Sequence, residues 1–278
     1  MSPHSAVVPN EATLVPHFKA KEAKEDSSTI QALVKTLSML PHPEGGFFVE
    51  TDRDSRRVPN PFVSTSNTST SLLPLSSPSS TLRATDKHVM QSSQSQATQA
   101  ANNDPSLFST SGETSSTRSA STTIHYLLTP SSPLGHFHRN RARTVHTLHK
   151  GRGRYVIIHA DEVAAKDFSG GYARDGAEAD GKEDGRWNGK ARVESFIVGQ
   201  NVQAGERLQW IVDGGKYKCS FLLPDKEGGE DSEEGLLISE TVVPGFEFCD
   251  HDFLTRERME ALVSEEQREE MGWMLRKG

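Results

Sequence analysis

One short stretch, Pro133–Arg154, reads PLGHFHRNRARTVHTLHKGRGR and holds His136, His138, His146 and His149, with His159 just beyond it. Arg139, Arg141, Arg143, Lys150, Arg152 and Arg154 are interleaved with them. Four uses are open: a metal site, an anion pocket, a nucleic-acid patch, or a decorated strand without chemistry. His136 and His138 are two apart. On a strand they share a face, and two imidazoles can then point at one ion. If the same parity runs on, Thr144, His146 and Leu148 face that way too, which makes His146 a third ligand. A divalent metal on His136, His138 and His146 is one expectation. Without a carboxylate partner, the same histidines would simply line a pocket.

The stretch Arg139–Arg154 contains no acid. Arginine forks hold carboxylate or phosphate in a bidentate way. They could equally pair with the acidic loop Asp161–Asp184 on the surface. Nucleic acid is the weakest use, because the formal net charge is -7 and no aromatics are interleaved for base stacking.

The elements that must position these residues follow from periodicity. In SSTIQALVKTLSML, the apolar Ile30, Leu33, Val34 and Leu37 recur at helical spacing, and Ser28 with Gln31 predicts a capping box. PHPEGG, Pro41–Gly46, stops that helix. FFVET then opens a strand. STTIHYLL, GHFH, RTVHTLH and RYVIIHA alternate as strands, with KGRG as a turn. RVESFIVG, RLQWIV, KYKCSFLLP and GLLISETVV alternate again, and TRERMEALVSEEQREEMGWMLRKG is helical, with Ser264 and Gln267 as a second capping box. About eight short strands without intervening helices predict an all-β sandwich or barrel. Residues 1–27 read as a disordered tail, 28–265 as one folded domain, and 266–278 as a helical tail. A Ser/Thr-rich insertion (about 60–118) and a Gly/Asp-rich loop (about 165–190) interrupt the domain. The insertion cannot bury enough apolar area to offset its chain entropy and reads as disordered.

Other classes drop out. Cys219 and Cys249 lack metal or disulfide-framework spacing and fit a reducing compartment. No apolar run is long enough for a membrane span, and the N-terminus has no signal-peptide core. Cytosol, with or without nucleus, is the expected location. No Ser-His-Asp set, phosphate loop or dinucleotide glycine pattern occurs.

The stretch resembles the first motif of the cupin superfamily, G-x5-H-x-H-x3,4-E-x6-G, to which it offers Gly135, His136, His138 and Gly151, with Arg143 or Thr144 where the glutamate stands. Gln209 lies near the position of the second-motif histidine. Three further segments resemble the fifth cupin family, a domain of unknown function. They are PHPEGGF with Glu50 and Thr51 following, the strand Phe137-His138-Arg139, and Val242–Phe248 with Asp250, Asp252 and Phe253 after it. Ser121–Leu128 matches that family's S-T-x-I strand. Its DEIWHFYAG aligns with Arg143–Gly151, where the acidic pair becomes Arg143 and Thr144. The resemblance implies a cupin-type double-stranded β-helix, a jelly-roll barrel with an N-terminal helix and a C-terminal helical tail. It also implies a homodimer and a cavity for a small ligand.

The function expected from all this is binding of a small polar or anionic metabolite, with no nucleic acid or membrane partner. His138, Arg143, His146, Gln209 and Glu50 are the expected ligand-binding residues. If the protein is an enzyme, an isomerase or epimerase fits, with a neutral histidine moving a proton and an arginine steadying the enolate. A dioxygenase-like metal-dependent cupin, with no other cofactor, is the second reading. A non-enzymatic scaffold regulated through the insertion is the third.

Overall fold

Alternation of apolar and polar residues folds this chain into two antiparallel sheets that face one another. The computed structural model describes residues 14–19, 25–62, 115–164 and 187–277. One helix, α1 (Ser28–Thr36), precedes the strands β1 (Leu40–Pro41), β2 (Phe47–Arg53) and β3 (Arg57–Pro59). Next come β4 (Thr117–Ser119), β5 (Thr122–Leu128), β6 (Leu134–Arg139), β7 (Arg143–Lys150) and β8 (Gly153–Ile158). The strands β9 (Val193–Val198), β10 (Gln209–Val212), β11 (Tyr217–Leu222), β12 (Leu236–Val243) and β13 (Asp252–Phe253) lead to α2 (Arg256–Leu262) and α3 (Glu265–Met271). One sheet has the order β1-β2-β5-β12-β7-β10 and the other β13-β6-β11-β8-β9. This is the mainly-β jelly-roll barrel that the sequence predicts. Among the described residues no helix is long and apolar enough to cross a membrane.

Three apolar clusters hold it. Inside the barrel, Phe48, Tyr126, Tyr155, Trp210, Leu222 and Ile238 pack between the sheets. Ile30 of α1, backed by Leu33, Val34 and Leu37, covers Leu127 and Leu237 on the outside of the six-stranded sheet. Met259, Leu262, Met271 and Met274 cover Phe137, Tyr217 and Phe221 on the outside of the five-stranded sheet. The C-terminal helices are therefore part of the domain's core rather than a tail. Trp210 is buried as its period predicts, and so is Cys219, whose thiol is pushed well above its usual range by burial.

Several boundaries shift. Ser27, not Ser28, caps α1 by accepting from the Ile30 amide, and Gln31 reaches the Asp26 carbonyl. The helix ends before PHPEGG: Ser38 takes a positive φ of 54°, and the Met39 amide donates back to the Val34 carbonyl. The Ser264–Gln267 capping box forms as predicted. Residues 14–19 are not loose. The Leu14 amide donates to Glu270 and its carbonyl accepts from Trp273 Nε1, tying this segment to the C-terminal helices. The ends of the expected insertion are also ordered, since Arg57–Pro59 pairs with Thr117–Ser119. The rest of it, residues 63–114, and most of the Gly/Asp-rich loop, 165–186, lie outside the described residues.

Candidate functional site

A β-bulge decides where the histidines go. On β11, Lys218 pairs with His138 but Ser220 pairs with Gly135, so β6 carries one extra residue between them. The extra residue breaks the shared parity of His136 and His138. His138 enters the barrel. His136 turns toward the C-terminal turn, where its Nδ1 meets the Met274 carbonyl at 3.2 Å. Of the three histidines expected to share a metal, His138 alone joins a ligand cluster.

That cluster is Glu44, His138 and His251, whose candidate ligand atoms all lie within 4.8 Å of one another. The residues are 7%, 5% and 6% exposed. Glu44 comes from PHPEGG, whose two glycines take φ of +106° and +71°. A Cβ on Gly45 would stand 2.0 Å from the Leu134 carbonyl oxygen, so the loop can approach β6 this closely only with glycine there. The approach is fixed by the His136 amide, which donates to the Glu44 carbonyl at 2.7 Å. His136 thus serves the site through its backbone, not its ring.

Hydrogen bonds set the proton positions. The His136 carbonyl can only accept, so His138 Nδ1 carries the proton of their 2.9 Å contact. Burial pushes the His138 ring down to about 3, against the pull of Glu44, so the ring is neutral near pH 7. Its Nε2 lone pair then faces Glu44 Oε2 at 3.2 Å. On the other side, His251 Nε2 lies 2.8 Å from Glu44 Oε1. His42 adds a second lone pair: its Nδ1 accepts from the Glu44 amide at 3.2 Å and sits 3.6 Å from Glu44 Oε2.

A second buried polar group crosses the barrel beside the first. Lys218 Nζ donates to Glu240 Oε2 at 2.6 Å and to His146 Nε2 at 2.9 Å. Burial would raise the Glu240 carboxyl, but Lys218 and His146 overcome this and hold it far below the ordinary range. Burial and Lys218 lower His146, which therefore stays neutral and stacks on Trp210 at 5.0 Å. The predicted inward parity of Thr144, His146 and Leu148 holds.

The remaining expected residues lie elsewhere. Arg143 is on the surface, paired with Asp213 at 3.0 Å, because it is the outward-facing first residue of β7. Gln209 is exposed on the edge strand β10, bonded to Thr147. Glu50 stands at the rim, gripped by Arg53 at 2.8 Å. The basic stretch is neutralised by acids far away in sequence. Arg139 pairs with Asp252, and Arg152 with Glu206. Sequence reasoning missed His251, Lys218 and Glu240. The first follows PGFEF within CDHDF, and the other two sit at inward positions of alternating strands, where a charged residue is the only signal.

His159, just after β8, gathers a charged cluster at one end of the five-stranded sheet. Arg192 and Lys216 donate to its Nδ1, so its Nε2–H donates to Glu194 at 3.2 Å. The His159 bond, then Arg207, draw the Glu194 carboxyl from 4.5 down to about 2. A depressed carboxylate stabilises the fold above its unfolded pKa and loses that contribution as pH falls through the folded one. Glu194→Gln should therefore remove on the order of 1 kcal/mol near pH 6, after allowing for solvent screening, and little at pH 2. Urea melts at the two pH values check this. An equal loss at both would show that Glu194 acts through packing.

A two-sheet jelly-roll barrel with a histidine–carboxylate cluster at its centre defines a cupin-type protein. The chain belongs to the family described as Cupin superfamily (DUF985), whose model matches residues 31–254. It is 32% identical over 253 residues to Uncharacterized protein YML079W of Saccharomyces cerevisiae, covering 90% of this chain and 88% of that one. A hypothetical protein from Leishmania major superposes with a TM-score of 0.53 at 21% identity, covering 90% of this chain and 100% of that one. The protein SO0799 from Shewanella oneidensis gives a TM-score of 0.49 at 18% identity, with 90% and 98% covered.

Proposed function

We propose that this cupin holds a divalent metal on Glu44, His138 and His251 and acts there on a small anionic organic molecule. One observation carries the reading: Glu44, His138 and His251 bring their ligand atoms within 4.8 Å of one another inside the barrel, and His138 Nε2 faces Glu44 Oε2 at 3.2 Å while Nδ1 is turned to the His136 carbonyl. A cation shared by these atoms turns their close approach into an attraction. The donor set fits one. Two imidazoles and a carboxylate suit iron, manganese, nickel or zinc and leave coordination positions open. When bound, such a cation supplies a Lewis acid for a carbonyl or carboxylate oxygen. The His138 Nδ1–H···O bond to His136 is the outer-shell contact that fixes a ligand ring.

The chain's own residues supply the rest. Lys218 stands beside His138 in register and offers an ammonium to an anionic substrate. Glu240 pairs with that ammonium at 2.6 Å, and neutral His146 accepts from it at 2.9 Å. Proton movement of the isomerase kind thus rests on Lys218 and His146. Arg143 and Gln209 drop out of the substrate clamp, being on the outer surface.

Elemental analysis of the purified protein should find about one equivalent of a transition metal per chain. Glu44→Gln and His138→Ala should each remove it while the fold survives. No metal in the wild type, even after reconstitution with Fe²⁺, Mn²⁺, Ni²⁺ and Zn²⁺, would overturn the reading.

A further inference from the structure

Val58 pairs with Arg118 in the β3–β4 ladder, which closes the chain on either side of segment 63–114. The Arg118 side chain leaves that ladder for the interior and is 1% exposed. Both its Nη atoms donate to the Asp250 carboxylate, Nη2 to Oδ1 at 2.8 Å. Its Nε donates to Asn60 Oδ1 at 2.8 Å, and the Phe62 ring lies 5.0 Å from the guanidinium. Two residues from before the segment therefore hold a fork from after it, and the fork grips one carboxylate.

Asp250 has a second task. Its Oδ2 accepts from the Glu247 amide at 3.2 Å, which closes the short 3-10 turn Phe248–Asp250. The residue that leaves this turn is His251, whose Nε2 points at Glu44. The direction of that ring follows from the backbone of the turn, and the turn follows from Asp250. Beside it, a space of about 10 Å³ lined by Arg141, Asp250 and His251 has room for a single water.

We infer that Arg118 is a positioning residue for the metal centre: through Asp250 it holds His251 in line with Glu44 and His138. This rests on the metal reading above. A buried ion pair that served stability alone would change the melting temperature and leave the metal's surroundings as they were. A pair that aims a ligand changes the affinity and the ligand field. Lysine keeps the charge but has no planar fork, so it cannot hold both carboxylate oxygens and Asn60 together.

The test uses Co²⁺ as a probe with the full-length wild type, Arg118→Lys and Asp250→Asn, all well below their melting temperatures. Each variant's fold is checked first by circular dichroism. Outer-shell changes of this kind weaken metal binding 10–100-fold. We expect that loss in both variants, together with a change in the Co²⁺ visible absorption bands. A folded variant that binds Co²⁺ with wild-type affinity and a wild-type spectrum overturns the positioning role and leaves the metal centre standing. Wild type that takes up no Co²⁺ overturns the metal centre and this role with it. If Arg118→Lys does not fold, Asp250→Asn, which keeps the size of the side chain, decides alone. If neither folds, Asn60→Ala, which removes the bond to Arg118 Nε together with those to the Phe62 amide and the Ser115 carbonyl but leaves the Arg118–Asp250 pair, decides: a smaller loss of affinity supports the role and none overturns it.

Discussion

Lys218→Met should destabilise the protein by about 3–5 kcal/mol at neutral pH, the cost of stripping one partner from a buried ion pair. The methionine fills a similar volume, so the loss is electrostatic. Glu240, 7% exposed, would keep its charge with only His146 nearby to answer it. The pH dependence identifies the cause. Without Lys218, burial lifts the Glu240 carboxyl above its unfolded value. An acid raised in this way costs stability where it is ionised, and the cost disappears as pH falls through the raised value. The deficit should therefore be smaller at pH 5 than at pH 7. Adding Glu240→Leu should recover most of it, because a packed apolar pair can replace a buried ionic one. Urea melts of wild type, single and double variants measure all three. A single variant that loses less than about 1 kcal/mol would mean that water reaches Glu240 and that the cluster is not sealed.

Phe137→Ala should cost about 3–5 kcal/mol, the usual range for emptying a buried phenylalanine site. The bulge in β6 directs this ring away from the barrel, and it is fully buried with Tyr217, Leu254, Met259 and Met274. The cavity would therefore open under the C-terminal helices. The loss should also be local. Amide exchange in α2, α3 and the docked Leu14 segment should rise before exchange in β5, β7 and β12, which contact a different core. Uniform acceleration across both sheets would show that the helices are not a separate layer of stability.

The strands were legible because alternation survives in them. His146, Leu148, Trp210 and Val212 all face where their period places them. The motif segments PHPEGG and PGFEF were legible as family marks. The proposed metal ligands were not, for three physical reasons. A one-residue bulge inverts parity, and nothing in GHFHR announces it, so His136 was counted as a ligand. Glu44 and His251 lie 207 positions apart, and no periodicity links a loop residue to a turn residue over that distance. Finally, a basic run without local acids reads as an anion site, whereas folding brings Asp213, Glu206 and Asp252 to it from elsewhere.

The chain order of the ligands has a consequence of its own. Glu44 lies before segment 63–114, while His138 and His251 lie after it. Neither half carries a full set of donors. The two halves meet along the whole of β2 and β5 as well as in the small ladder. Metal uptake would thus report that the halves have come together, much as a two-key lock reports that both keys are present. Length can change between the keys without moving either, because the ladder joins the chain on the two sides of that segment.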